Sequence, residues 1–157
     1  MAETPKTILI AGAGFGGMTA ALKLERGLRN NHDWNIVLID KNQYQLYTPA
    51  LYEIAAIPKE EVDPVSLKSI TAIPIADTIA GKKITFVHDE LTGLDRERRF
   101  VHTKGRREFN YTFLILALGS ETNYFDIPGL REHALSLKRF EDAVRIRNKV
   151  ERVLMES

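Results

Sequence analysis

A glycine-rich segment between an apolar run and a helical pattern constrains the fold of this chain more than any other feature. Residues 8–11 are apolar, Gly12-Ala13-Gly14-Phe15-Gly16-Gly17 follows, and a helical pattern begins at residue 15. A second apolar run at residues 34–39 ends at Asp40. A GxGxxG loop that leaves a strand, opens a helix and precedes an acidic residue about 20 positions later is typical of a dinucleotide-binding βαβ unit.

Each glycine of the loop has a physical role in such a unit. Gly12 permits the tight turn, Gly14 lets the backbone approach a pyrophosphate, and Gly17 allows close packing of helix and strand. The first helical turn offers N–H groups and partial positive charge to phosphates. Asp40 would accept hydrogen bonds from a ribose diol, and its charge disfavours a 2′-phosphate. The alternative is a glycine-rich turn in an unrelated α/β protein, with Asp40 an ordinary strand-end acid.

Composition excludes several classes of chemistry. The 157 residues contain no cysteine, which removes disulfides, thiolate metal sites and redox cysteine pairs. The four histidines are scattered without the spacing of metal ligands, so we expect no metal site. With 22 Lys and Arg against 21 Asp and Glu, no net field attracts nucleic acid. No apolar run approaches the roughly 18 residues of a membrane span, which favours a cytoplasmic protein.

Periodicity predicts an α/β fold with a central parallel sheet and a small antiparallel β insertion. We expect strands at residues 6–11, 34–40 and 112–117, of which the last is continuously apolar, as a buried parallel strand is. Shorter strands are predicted at 83–87, 90–95 and 100–103, and the basic clusters within 96–99 and 104–107 are interpreted as solvated turns. Helices are predicted at 15–30, from Thr48 as N-cap with Pro49 at its first position, at 75–79, and from about residue 136. The last helix is expected to bury the face that carries Ala143, Ile146, Val150 and Val153.

Two further segments carry a family resemblance. The glycine loop followed by NQYQLYTPALYEIA at residues 42–55 resembles the FAD-binding start of type II NADH dehydrogenases, which are NADH:quinone oxidoreductases. These belong to the FAD-dependent superfamily that resembles the pyridine nucleotide-disulfide oxidoreductases. GSETNYF at 119–125 and IPGL at 127–130 are similar to the return of that family's chain to the flavin. The fold implied is a Rossmann-like FAD-binding domain that is incomplete in this chain.

The resemblance implies a set of FAD-binding residues and no catalytic side chain. The pyrophosphate would lie against the loop and the ribose against Asp40, while the adenosine would lie beside Lys41 and Leu91. The isoalloxazine edge would contact Thr48 and Pro49. The turn at Ala117 and Gly119 would cross the cofactor. The loop residues implied are Gly12, Gly14, Phe15, Gly16 and Gly17. A core position for Leu91 is an equally open alternative.

Several positions depart from the family pattern. Leu118 stands where these flavoproteins usually have Thr, and Gln45, Tyr47 and Thr48 stand where His, Phe and Gln are commoner. Contacts made by the backbone would survive these changes. The tuning of the flavin is what they put in question.

The implied reaction passes hydride from NADH to FAD and electrons to a quinone. Residues 1–135 would be the amino-terminal part of the FAD-binding domain, and 136–157 a helix leading toward an NADH-binding domain. None of the ten glycines forms a second GxGxxG, so the chain resembles the amino-terminal portion of a longer protein and we expect it to be inactive alone. A full-length protein would contact the inner face of the cell membrane through a C-terminal region, and a homodimer is compatible with the resemblance.

Other functions remain open on the sequence. A sulfide:quinone oxidoreductase or a flavoprotein like the apoptosis-inducing factor would share the two-dinucleotide architecture. The missing cysteines disfavour a disulfide reductase. A module that binds FAD or NAD without turnover is the third alternative.

Overall fold

The computed structural model describes residues 5–58 and 64–156. The helices are α1 (Phe15–Leu28), α2 (Leu51–Ala56), α3 (Pro64–Thr71), α4 (Ile75–Ile79), α5 (Leu130–His133) and α6 (Phe140–Met155). The strands are β1 (Lys6–Ala11), β2 (Trp34–Asp40), β3 (Tyr44–Leu46), β4 (Ala72–Pro74), β5 (Thr85–His88), β6 (Leu91–Asp95), β7 (Phe100–Thr103), β8 (Glu108–Asn110) and β9 (Phe113–Leu116).

The described residues divide into two compact units. The first comprises residues 5–45 and 74–119, and the second comprises 46–58, 64–73 and 120–156. This division follows the packing of the chain and does not test the domain boundary predicted between residues 135 and 136. That boundary stays a prediction.

A four-stranded parallel sheet forms the centre of the first unit, in the order β5-β2-β1-β9. Ile8 of β1 pairs with Ile36 of β2 on one side and with Phe113 of β9 on the other. The apolar runs predicted as parallel strands therefore lie side by side, and their carboxyl ends meet at one edge. The prediction that the last of them is a buried strand is wrong: β9 lies at the edge of this sheet, and Phe113 and Leu116 are more than half exposed. The predicted α/β class with a central parallel sheet is confirmed.

Alternation along β1 gives this sheet a core on each face. Ile8 and Ile10 pack with Met18 and Ala21 of α1 and with Ile75 of α4. On the opposite face, a second cluster contains Leu9, Ala11, Ile39, Val87 and Val101. Successive side chains of a strand point to opposite faces, so one apolar strand serves both clusters.

A three-stranded antiparallel sheet, β6-β7-β8, is the predicted small insertion. Leu94 pairs with Val101, and the register shifts between Leu91 and Gly93. The predicted polar turn joins β6 to β7. We did not predict β8, because its residues follow a run of charges that lacks strand character; pairing with β7 overrides that weak local preference.

The second unit holds α2, α3 and α6 around a core of Leu51, Ile54, Leu67 and Ala143. A single 3-10 turn, Thr48–Ala50, precedes α2. The prediction that Thr48 caps an α-helix is wrong: Ala50 occupies the N-cap position of α2, and the Thr48 carbonyl accepts the Leu51 N–H within the 3-10 turn. Proline at position 49 fits the start of this tighter turn.

Helix α6 begins four residues later than predicted and buries a different face. The Asp142 carboxylate accepts hydrogen bonds from the backbone N–H groups of Lys138 and Arg139, which fixes the start of the helix. Ala143 is buried as predicted, but Val150 and Val153 are about half exposed. Arg147 is buried instead, because its guanidinium donates to the carbonyls of Ile57 and Pro58.

Within the described ranges, the helices are too short or too polar to cross a bilayer. The same residues include no group of three or more His, Asp or Glu side chains placed to hold a metal ion.

Candidate dinucleotide-binding site

The glycine loop joins the carboxyl end of β1 to α1, and two of its glycines are enclosed by backbone. Gly12 has a φ of +100°, and a Cβ there would overlap the carbonyl oxygen of Ala117. A Cβ on Gly17 would overlap the carbonyl oxygen of Gly12. Both overlaps involve main-chain atoms, which cannot rotate away, so these positions require glycine for the turn itself.

Gly14 differs from its neighbours in the loop. A Cβ there would meet no atom within 4 Å, and the residue is exposed at the N-cap of α1. No acidic residue occupies the first turn of this helix. The positive end of α1 is therefore not neutralised by a carboxylate of its own first turn, and an anion can approach the backbone there.

Asp40 is held rigidly at the carboxyl end of β2. One carboxylate oxygen accepts the Ala13 N–H at 2.6 Å, and the other accepts the Asn42 N–H at 2.7 Å. The Asn42 side-chain amide donates to the latter oxygen at 3.3 Å. The carboxylate thus joins the glycine loop to the turn after β2, and the oxygen that accepts the Ala13 N–H keeps a lone pair for a further donor.

A cleft of about 360 Å³ opens at the carboxyl edge of the parallel sheet. Crevices outside the carboxyl ends of the strands are where open α/β sheets bind their ligands. Seven of the predicted site residues line it: Gly12, Gly14, Asp40, Lys41, Leu91, Ala117 and Gly119. Leu91 is half-buried, so it serves both the cleft wall and the neighbouring core cluster.

The other five predicted residues lie outside the lining of this cleft. Phe15 and Gly16 are exposed in the first turn of α1, and Gly17 is buried against the loop. Thr48 and Pro49 belong to the second unit, where both are exposed in the 3-10 turn. Their roles at a flavin stay predictions.

Sequence reasoning missed Asp89 and Glu90, which also line the cleft. They follow β5, whose carboxyl end lies beside that of β2, and the Asp89 N–H donates to the Asp40 carbonyl at 2.9 Å. An acidic pair between the strands predicted at 83–87 and 90–95, with Glu90 at the start of the second, was the available signal. Asn42, the first residue of the family-like segment 42–55, and Leu118, which departs from the family pattern, also line the cleft.

Asp89 is strongly stabilised as a carboxylate. One oxygen accepts Nε and Nη2 of Arg107 at 3.1 and 2.7 Å, while the other accepts the N–H groups of Glu90 and Gly105. The Arg107 guanidinium, helped by the Thr103 hydroxyl and these backbone donors, holds the pKa of Asp89 far below its usual range although partial burial opposes this. Asp89 is therefore ionised throughout the physiological pH range.

Known proteins resemble this chain along almost its full length. A type II NADH:quinone oxidoreductase from Staphylococcus haemolyticus is 30% identical over 151 residues, which cover 96% of this chain and 35% of the relative. The chain thus spans about a third of the length of the curated relatives it matches.

Solved structures share the fold. The sulfide:quinone oxidoreductase from Aquifex aeolicus has a TM-score of 0.76 at 22% identity, over 96% of this chain and 32% of that one. NDH2 from Plasmodium falciparum has a TM-score of 0.74 at 23% identity, over 97% of this chain and 30% of that one. At these identities the likeness concerns the fold alone.

The family model for pyridine nucleotide-disulphide oxidoreductases matches residues 6–154. That match includes the glycine loop, Asp40, both sheets of the first unit and most of α6. The chain belongs to the pyridine nucleotide-disulphide oxidoreductase family.

Proposed function

We propose that this chain is the FAD-binding portion of an NADH:quinone oxidoreductase. Support comes above all from Gly14, whose exposed backbone at the start of α1 has open space beside a cleft at the carboxyl edge of the sheet. The name of the Staphylococcus relative supports NADH and quinone as the substrates of the whole protein.

The residues of the cleft suit the adenosine and pyrophosphate portion of FAD. The start of α1, at Gly14, Phe15 and Gly16, would hold the pyrophosphate through backbone N–H groups, with Gly14 allowing its close approach and Gly17 allowing the loop to pack on the helix. Asp40, fixed by the Ala13 N–H, would accept from the ribose hydroxyls. Lys41 and Leu91 would flank the adenosine, and Ala117 and Gly119 would pass beneath the cofactor.

Bound FAD supplies the two-electron chemistry that links NADH oxidation to quinone reduction. The described residues contribute binding and position. Thr48 and Pro49 would meet the isoalloxazine edge, and no side chain is needed as an acid or a base. In the whole protein we further propose a cytoplasmic location, peripheral at the inner face of the membrane, and a homodimer as its assembly.

Gly14→Val tests the FAD assignment. The protein is produced from the complete open reading frame that encodes this chain, its flavin is removed, and FAD is titrated back while flavin fluorescence is followed. Because the space at Gly14 is open, the variant is expected to fold normally yet to lose FAD affinity at least tenfold, since its side chain occupies the path of the pyrophosphate.

Gly27→Ala is the matched control, because Gly27 also has open space but lies within α1, away from the loop. Its FAD affinity should equal that of the wild type. A wild-type protein that binds no FAD, or a folded Gly14→Val variant that binds FAD unchanged, would contradict the assignment.

A further inference from the structure

The turn between β7 and β8 supplies cations to two acids of the cleft wall. Arg107 donates through both Nε and Nη2 to one carboxylate oxygen of Asp89, and Lys104 Nζ lies 3.2 Å from a carboxylate oxygen of Glu90. The backbone completes the attachment, since the Lys104 N–H donates to the Glu90 carbonyl and the Gly105 N–H to the Asp89 carboxylate. One turn of the antiparallel insertion is thereby fastened to one wall of the cleft.

The two pairs differ in how firmly they are held. The Asp89 side chain is only 8% exposed, whereas Glu90 is 43% exposed and Lys104 is 74% exposed. The Arg107 guanidinium also lies 5.6 Å from the centre of the Phe109 ring, which orients it. The exposed pair is screened by water, so the Asp89–Arg107 pair carries the effect.

A buried carboxylate in this wall would repel an anionic ligand if it stood alone. FAD brings a pyrophosphate with negative charge, and the cleft already presents Asp40. We propose that Arg107 is a positioning residue for the dinucleotide: it compensates the charge of Asp89 and fixes the backbone of residues 89–91, against which the adenosine would lie. This inference rests on the proposed function.

Charge compensation predicts a pattern that loss of structure would not produce. Arg107→Met leaves the Asp89 charge uncompensated, so FAD affinity should fall about tenfold and recover partly as ionic strength rises. Asp89→Asn combined with Arg107→Met removes both charges, while Asn keeps an acceptor for the Glu90 and Gly105 N–H groups. The double variant should regain affinity to within about threefold of the wild type.

The experiment measures FAD dissociation constants at low and high salt for the protein from the complete open reading frame, with the thermal stability of each apoprotein. Arg98→Met is the matched control, because Arg98 loses the same charge from the β6–β7 turn, where it lies 3.9 Å from Asp95. Its FAD affinity should not change.

Three results would overturn the inference and leave the proposed function standing. The first is an Arg107→Met variant that binds FAD as the wild type does. The second is a double variant that binds FAD no better than the single one, and the third is an affinity loss that does not depend on salt; either of these two makes the role of the pair purely structural. If the wild-type protein binds no FAD, both the proposed function and this inference are wrong.

Discussion

Gly12 adopts a backbone conformation that L-residues rarely enter, and it lies directly against the Ala117 carbonyl. Gly12→Ala combines the cost of a positive φ with a main-chain overlap, so we expect a loss of at least about 2 kcal/mol in the free energy of unfolding. Urea denaturation measures this loss of unfolding free energy. The contrasting variant is Gly27→Ala, which should gain up to about 1 kcal/mol because Ala favours a helix interior. A Gly12→Ala variant as stable as the wild type would contradict the positive φ of Gly12 and its close contact with the Ala117 carbonyl.

Asp89 makes stability depend on pH in a definite direction. Its folded pKa lies below the unfolded value of about 3.9, so its ion pair contributes stability above that value and loses it as the pH falls. Wild-type protein should therefore lose more stability between pH values of about 7 and 3 than Asp89→Asn does. Chemical denaturation at the two pH values compares the wild type with the variant. Equal losses of stability would show that the Asp89–Arg107 pair does not contribute to the pH dependence.

Residue types explain why part of the site was predictable. Gly12, Gly14 and Asp40 are encoded locally, because the loop and the strand ends that carry them are continuous in sequence. Asp89 was missed because its partner Arg107 lies 18 positions further along, and only the turn of the antiparallel sheet brings the two together. Long-range pairing of this kind leaves no periodic signal.

At the scale of elements, the apolar runs predicted β1, β2 and β9 within a residue or two. For β1 the reason is burial, since a buried parallel strand is apolar on both faces, whereas β9 is apolar although it lies at the edge of the sheet with Phe113 and Leu116 exposed. The start of α6 was set four residues too early. The start of this helix is fixed by hydrogen bonds to the Asp142 carboxylate, which the spacing of apolar residues does not reveal.

Asp142 controls where α6 begins. Burial opposes its ionisation, but hydrogen bonds from the Lys138 and Arg139 backbone lower its pKa overall. Asp142→Ala should cost about 1 kcal/mol of stability, because the donors at the helix start lose their acceptor. Glu141→Ala is the control on the adjacent exposed position, with a smaller expected loss. Thermal unfolding of both variants decides, and equal losses would contradict the capping role.

Arg147 fastens α6 to the segment that follows α2. Nε and Nη2 donate to the Ile57 and Pro58 carbonyls at 2.8 and 3.0 Å, and the residue is 2% exposed. Arg147→Met should cost about 2–4 kcal/mol, since two charge-assisted bonds are lost and the carbonyls of Ile57 and Pro58 lose a charged donor. Arg145→Met, on an exposed position of the same helix, should change stability little. Denaturant unfolding compares the two, and similar stabilities would mean that Arg147 is dispensable.

At the scale of the whole molecule, hydride transfer between two dinucleotides needs two binding sites that face each other. These 157 residues contain one GxGxxG loop. They span about a third of the curated relatives. The described cleft has room for the adenosine portion of a cofactor at one sheet edge, at about 360 Å³. The one GxGxxG loop accounts for one of the two sites that the proposed reaction would require.

We accordingly predict that residues 1–157 alone retain FAD weakly or not at all and do not oxidise NADH. The measurement is flavin absorbance after gel filtration, followed by NADH consumption with a water-soluble quinone. The reference is the protein from the complete open reading frame, assayed under identical conditions with added FAD. A yellow 157-residue protein with NADH:quinone turnover would contradict the prediction, because one dinucleotide site would then suffice for a reaction that must bring a nicotinamide against a flavin.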